Sequence, residues 1–160
     1  MDNRISIVFT VNNSYAQHCC VAMVSVLENN LTSSIDFYIL TDYFSDENKK
    51  LFVSVVERYG NNNRVEFKLV DHAIFEGFKL HIKYITCHTY YRLLIADLFP
   101  ELTRILYLDA DLIVDGSIAE LWKTPLEGYL YAGVNDSWIE RIKYKYSIGL
   151  QESDIYINAG

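Results

Sequence analysis

With 160 residues, of which 51% are hydrophobic and 14% aromatic, the chain can bury one domain-sized core, and general disorder is excluded. Its net charge of −7, with no cluster of Lys or Arg, argues against nucleic acid as the main partner. Cys19, Cys20 and Cys87 fit neither a disulfide framework nor a Cys-x-x-Cys zinc site, so buried thiols in a reducing compartment are expected. From Met1 to Arg4 and the short strand after it, neither a signal peptide nor a membrane span is expected.

Ile5 to Val11 is a β-rich apolar run, and Asn12-Asn13-Ser14 closes it with residues that turn a chain and cap a helix. From Tyr15 to Glu28, Tyr15, Cys19, Ala22 and Val26 recur at helical spacing. Ile35 to Leu40 reads as a second strand. Ser45 then caps a helix whose apolar side carries Leu51, Val55, Val56 and Tyr59, and Gly60 with an Asn-rich loop ends it. Val65 to Val70 is a third strand. Strands alternating with helices of this length predict an α/β fold with a mostly parallel central sheet flanked by helices.

The segment from Asp71 to Thr86 is irregular. Helix is expected again from Cys87 to Phe99, through Tyr90, Tyr91, Leu94, Ile95 and Leu98, with Pro100 ending it. Arg92 lies in that helix beside its apolar face, where a packed stem at the rim is the ordinary role. Arg104 to Gly116 follows, with Ile105-Leu106-Tyr107-Leu108 running into Asp109-Ala110-Asp111. An unbroken apolar run predicts a strand covered on both faces, and ligands of such sheets sit at strand carboxyl ends. While the chain stays extended, Asp109 and Asp111 point to one side. Two carboxylates together suit a divalent ion that prefers oxygen, magnesium or manganese, whose other positions would take a diphosphate. The same tripeptide also occurs as a plain solvated turn.

Ser117 to Trp122 reads as a short capped helix, and Tyr129 to Val134 as a strand closed by Asn135-Asp136. A Lys- and Tyr-rich loop and helix run to about Ser147. Ile155-Tyr156-Ile157 then leads into Asn158-Ala159-Gly160. A strand ending in Asn and Gly is where a further element should begin, so an incomplete chain is expected.

No glycine-rich phosphate cradle and no Gly-x-Ser-x-Gly elbow occurs, and His18, His72, His81 and His88 lack zinc-ligand spacing, so each is expected at the surface or with ordinary partners. What remains is three polar clusters at strand ends: Asn12 to Tyr15, Asp109 with Asp111, and Asn135 with Asp136, joined by Asn158. Together they suit an aromatic base stacked on Tyr15, a diphosphate on a metal, and a hydroxyl-rich group, which is the description of a nucleotide sugar.

Ile7-Val8-Phe9 running into Asn-Asn-Ser-Tyr, Thr89-Tyr90-Tyr91-Arg92, Leu106 to Asp111, Leu121-Trp122 and Tyr156 to Gly160 together resemble the retaining glycosyltransferases of family 8, over essentially the whole chain. The bacterial branch, with its lipooligosaccharide galactosyltransferases, is the most similar. The resemblance implies a GT-A fold, with residues 1–160 as the N-terminal portion of a single catalytic domain. It also implies transfer of glucose or galactose from UDP-glucose or UDP-galactose to a saccharide or glycolipid acceptor, as in lipopolysaccharide synthesis. By the same resemblance Asp109 and Asp111 hold Mn2+ or Mg2+, Asn12, Ser14, Tyr15 and Ala110 hold the nucleotide, and Arg92, Asn135, Asp136 and Asn158 hold the donor sugar. Asp136 is the catalytic candidate, as a group that orients the sugar or shields positive charge. The location implied is cytoplasmic, peripheral at the inner face of the plasma membrane through a later segment.

Two features depart from the family pattern. Asn12 stands where relatives often carry Asp, and its amide oxygen is expected to accept from the uracil N3 hydrogen. The later His-x-x-Gly-x-x-Lys segment, which in the family supplies a third metal ligand and a phosphate-binding Lys, has no counterpart here. Two alternatives stay open at this level. One is a haloacid dehalogenase-like phosphatase, in which the first Asp of such a motif is the nucleophile, although that motif normally ends the opening strand. The other is a noncatalytic UDP-binding module.

Overall fold

Alternation of period two sorts the first two strands into two faces, and the fold follows from what each face collects. The structure is a computed structural model that describes residues 4–78, 86–135, 145–146, 149–151, 153–155 and 157. Strand β1 (Arg4–Thr10) pairs in parallel with β2 (Ser34–Thr41), Ile5 opposite Ile35 and Phe9 opposite Ile39. Strand β3 (Arg64–Leu69) adds in parallel to β2, and β4 (Leu106–Tyr107) to β1, giving the order β3-β2-β1-β4. The expected parallel sheet is therefore present.

One face of the sheet, carrying Ile5, Ile7, Phe9, Ile35, Phe37 and Ile39, packs on α1 (Ala16–Glu28) and α2 (Asp46–Tyr59). The helices contribute Cys19, Ala22, Met23 and Val26 from α1 and Phe52 and Val56 from α2. The opposite face offers Val8, Tyr38 and Leu40 to Tyr91 and Phe99. Helices thus cover both faces, as a parallel sheet requires. Each large side chain removed from water here contributes on the order of 2 kcal/mol.

Several local expectations are corrected. Tyr15 is not part of the buried face of α1: it ends a 3₁₀ turn (Asn13–Tyr15) and is 40% exposed. On α2, Phe52 faces the core and Leu51 is exposed, because the buried stripe is set by the partners Phe44 and Phe67 rather than by spacing alone. Ser45 caps this helix through the Asn48 N–H, and Gly60 ends it at φ +60°. The expected helix from Cys87 is a 3₁₀ helix (Cys87–Leu94) that becomes α3 (Ile95–Leu98) only at its end. The tighter winding stacks residues three apart, so His88 and Tyr91 are buried together.

The strand before the Asp pair is also shorter and less buried than expected. It lies at the sheet edge among the described residues and pairs only with β1, so Leu106 and Tyr107 are half-buried. After α4 (Ala119–Trp122), residues Thr124–Gly160 group as a compact unit of their own, distinct from Met1–Lys123. Tyr129 to Val134 is not a strand. Asn135 alone makes a backbone bridge, antiparallel to Ile157, because apolar residues without a neighbouring strand do not form a ladder. Lys145 Nζ donates to the Asp154 carbonyl, and Asp154 Oδ2 accepts from the Gln151 N–H. The helix expected toward Ser147 falls largely outside the described residues.

Candidate functional site

Because β1, β2 and β4 run parallel, their carboxyl ends lie along one edge, and the first unit gathers its polar side chains there. After β1, the Asn12 side chain caps the 3₁₀ turn: its Oδ1 accepts from the Tyr15 N–H at 2.9 Å and from the Ser14 hydroxyl at 2.7 Å. Asn13 ties the same turn to α2, its Oδ1 accepting from the Ser45 N–H at 2.8 Å and from Asn48 Nδ2 at 2.9 Å. A carbonyl oxygen has two lone pairs, so Asn12 Oδ1 is saturated by its own turn. The Asn12 side chain serves the turn's shape first.

After β4 the backbone leaves the extended state, and a turn begins at Ala110 and Asp111. Asp109 thus ends the extended segment and Asp111 sits in the turn, rather than both continuing one strand. The two are held by different tyrosines. Tyr107 donates its hydroxyl to Asp109 Oδ1 at 2.9 Å, and Tyr15 donates its hydroxyl to Asp111 Oδ2 at 3.3 Å. Asp109 Oδ2 and Asp111 Oδ1 have no hydrogen-bond partner among the described residues. Ala110 is buried between them, 7% exposed, with its methyl in the core.

Farther along, the end of α1 and the two residues after it clamp this loop. Ser25 Oγ accepts from the Val114 N–H, Asn29 Nδ2 donates to the Val114 carbonyl, and Asn30 Oδ1 accepts from the Ile118 N–H, each at 2.9 Å.

Arg92 packs against the segment that ends in the Asp pair, rather than standing free at the rim. Its guanidinium lies over the Tyr107 ring, 4.4 Å from the centroid, with Nη2 3.7 Å from Asp109 Oδ1 and Nε donating to the Thr89 carbonyl. Thr10, the last residue of β1, meets the Tyr107 hydroxyl at 3.2 Å. Burial, chiefly, pushes the Tyr107 phenol up to about 12, with the Asp109 charge adding to it, so the hydroxyl remains a donor at neutral pH. The charge of Asp111, foremost, also raises the Tyr15 phenol.

One turn before Arg92, His88 Nε2 lies 2.9 Å from Asp42 Oδ1 at the end of β2, and its Nδ1 lies 3.1 Å from Thr86 Oγ1. Burial pushes the Asp42 carboxyl up, but the hydrogen bond and charge of His88, together with the Tyr43 and Asp42 backbone N–H groups, outweigh it, and the group ends below its ordinary value. His88 is thus a satisfied buried histidine, while His18 and His72 are exposed, and His81 lies outside the described residues. Cys19 and Cys20 are buried and Cys87 is half-buried, all as free thiols.

Of the expected site residues, Asn12, Ser14, Tyr15, Arg92, Asp109, Ala110 and Asp111 fall at the edge formed by the first unit. Asn135 belongs to the second unit, and Asp136 and Asn158 lie outside the described residues. Thr10 and Tyr107 were not singled out from the sequence. Tyr107 stands two residues before Asp109 on an extended segment, and the same period-two rule applied to the Asp pair would have found it.

The donor set fits a hard divalent cation. No group of three His, Cys, Asp or Glu poised for a metal occurs among the described residues, but a magnesium-like ion that shares its sphere with substrate phosphates needs only one or two carboxylates. Asp109 Oδ2 and Asp111 Oδ1 supply that number. No helix among the described residues is long and apolar enough to cross a membrane.

Comparison with known proteins adds three findings. The family model described as "Glycosyl transferase family 8" matches residues 6–160. The chain is similar to a lipopolysaccharide 1,3-galactosyltransferase of Salmonella typhimurium, 29% identical over 99% of this chain and 47% of the relative. It is also similar to the lipopolysaccharide glucosyltransferase WaaO of Escherichia coli, 30% identical over 73% of this chain and 34% of the relative. Its structure superposes with a TM-score of 0.90 on the crystal structure of the galactosyltransferase LgtC in complex with donor and acceptor sugar analogs. That match is 32% identical and covers 98% of this chain and 56% of LgtC. The chain spans about half the length of the curated relatives it matches.

Proposed function

The chain belongs to glycosyltransferase family 8 and has the GT-A fold. On that premise we propose that it is the N-terminal portion of the catalytic domain of a retaining hexosyltransferase that uses UDP-glucose or UDP-galactose. The observation that carries the reading is the Asp pair at the end of β4. Two carboxylates stand one residue apart in sequence, each anchored by a tyrosine through one oxygen and without a described partner at the other.

In this reading Asp109 and Asp111 hold Mn2+ or Mg2+, which when bound stabilises negative charge on the departing diphosphate. The chain's own residues do the rest by placement. The Asn12-capped turn, with the exposed Tyr15 ring beside the Asp pair, receives the uridine. The Ala110 backbone adjoins it, and the buried Ala110 methyl keeps that backbone close to the core. Arg92, held over Tyr107, supplies positive charge on the donor-sugar side. By the family resemblance Asn135, Asp136 and Asn158 are assigned to the donor sugar, with Asp136 as the group that orients the ring or shields developing positive charge.

We propose a saccharide or glycolipid acceptor, met by a cytoplasmic enzyme at the inner face of the plasma membrane; similarity to lipopolysaccharide galactosyl- and glucosyltransferases supports the acceptor class. The phosphatase alternative loses support because the Asp pair follows the fourth strand, not the opening one.

Calorimetric titration of the folded chain with UDP, once with manganese and once with excess chelator, tests the reading. Binding in manganese and none in chelator is expected. In a version extended to the length of its relatives, Asp111→Asn should abolish manganese-dependent UDP-sugar hydrolysis. Hydrolysis at the wild-type rate would remove the metal role.

A further inference from the structure

We propose that Tyr107 is a positioning residue: its hydroxyl turns Oδ1 of Asp109 back into the protein and thereby fixes Oδ2 as the oxygen that meets the cation. The inference rests on reading Asp109 as a cation ligand, and it goes beyond that reading by naming which oxygen is used and what selects it.

The direction of each hydrogen bond follows from chemistry. An ionised carboxylate only accepts, so in the 2.9 Å contact between Tyr107 and Asp109 the phenol is the donor. Its single proton is then committed, and in the 3.2 Å contact with Thr10 the threonine hydroxyl must donate to the phenol oxygen. The chain Thr10 to Tyr107 to Asp109 therefore runs one way, from the end of β1 into the carboxylate.

Parallel pairing supports the chain, because Val8 of β1 stands opposite Tyr107 of β4. The Leu108 N–H also donates to the Val8 carbonyl, which holds the backbone between the two ends of the relay. Over the ring, Arg92 caps a π face and adds its charge to the same Oδ1 at 3.7 Å. One carboxylate oxygen thus faces a phenol and a guanidinium, and the other faces no described donor. A cation approaching Asp109 meets Oδ2 with no side-chain rotation needed.

The probe is Mn2+ itself, followed by the electron paramagnetic resonance signal of the free ion. Tyr107→Phe removes the hydroxyl and keeps the ring under Arg92. It is expected to weaken Mn2+ binding by about tenfold, the size of effect seen when a group that orients a metal ligand is lost. Thr10→Val, one step back in the relay, is expected to weaken it by about threefold, since a neutral hydrogen bond acts there indirectly. Val56→Ala provides the control for a purely structural effect: it lowers the melting temperature through a core cavity on α2 and should leave Mn2+ affinity unchanged.

Mn2+ binding by Tyr107→Phe within about twofold of wild type would overturn the positioning role, because that is well below the loss expected from an orienting group. The cation reading fails separately. If the wild-type chain binds no Mn2+, or Asp109→Asn binds it equally well, that reading falls and the role of Tyr107 falls with it.

Discussion

The turn after β1 and the turn after β4 meet at the same sheet edge, yet their polar atoms are engaged in opposite ways. Asn12 and Asn13 direct their side-chain oxygens inward, each accepting two hydrogen bonds from the turn or from the start of α2. Asp109 and Asp111 each give one oxygen to a tyrosine and leave the other without a described partner. The first turn is complete as it stands and acts as a shaped wall. The second holds two like charges in one short loop, an arrangement that becomes favourable when a cation arrives. Function is best sought where acceptors are left open, and stability where they are closed.

The largest effects should come from removing charge in the second turn. Asp109→Asn and Asp111→Asn are expected to reduce manganese-dependent UDP binding to the level seen in chelator, by calorimetry. Neither should lower the melting temperature, because Asn keeps an oxygen for the tyrosine and relieves the repulsion within the pair. Loss of stability together with binding would mean that the second turn is as much scaffold as the first.

The next effect tests the first turn. Asn12→Ala removes the acceptor for the Tyr15 N–H and the Ser14 hydroxyl, and should cost about 1 kcal/mol of stability by denaturant titration, the usual loss at a helix cap. Asn12→Asp, which keeps an oxygen in place, should restore the cap. An unchanged denaturation midpoint in Asn12→Ala would break the contrast by showing that this turn is held by its tether to α2 alone.

How much of this was readable in the sequence depends on whether a residue's role is decided locally. β1, β2 and β3 follow from apolar runs closed by turn residues, and the cap at Ser45 and the stop at Gly60 follow from local chemistry. The Asp pair was legible because it ends an apolar run. Tyr107 was hidden inside that run, where its ring counts as apolar and its hydroxyl goes unseen. The length of β4 depends on neighbours, since only β1 pairs with it. Phe52 over Leu51 is a packing choice made by Phe44 and Phe67. The 3₁₀ winding of Cys87–Leu94 goes with contacts far away in sequence: His88 reaches Asp42, and Arg92 reaches Tyr107 and Asp109.

The smallest expected effect is the one that joins the two turns. Tyr15 belongs to the closed turn through its N–H and to the open one through its hydroxyl, which reaches Asp111 Oδ2 at 3.3 Å. That hydroxyl is at the surface, so water can replace the carboxylate as its partner, and the bond is long. The ring has a separate contact, tilted against His18 at 4.4 Å between centroids, which Phe would preserve. Tyr15→Phe should therefore leave the melting temperature unchanged and shift UDP affinity in manganese by less than about threefold, as expected for one exposed neutral donor. A loss comparable to that of Tyr107→Phe would mean that Asp111 is held as firmly as Asp109, and that the cap of Asn12 reaches the cation site through Tyr15 as one continuous relay.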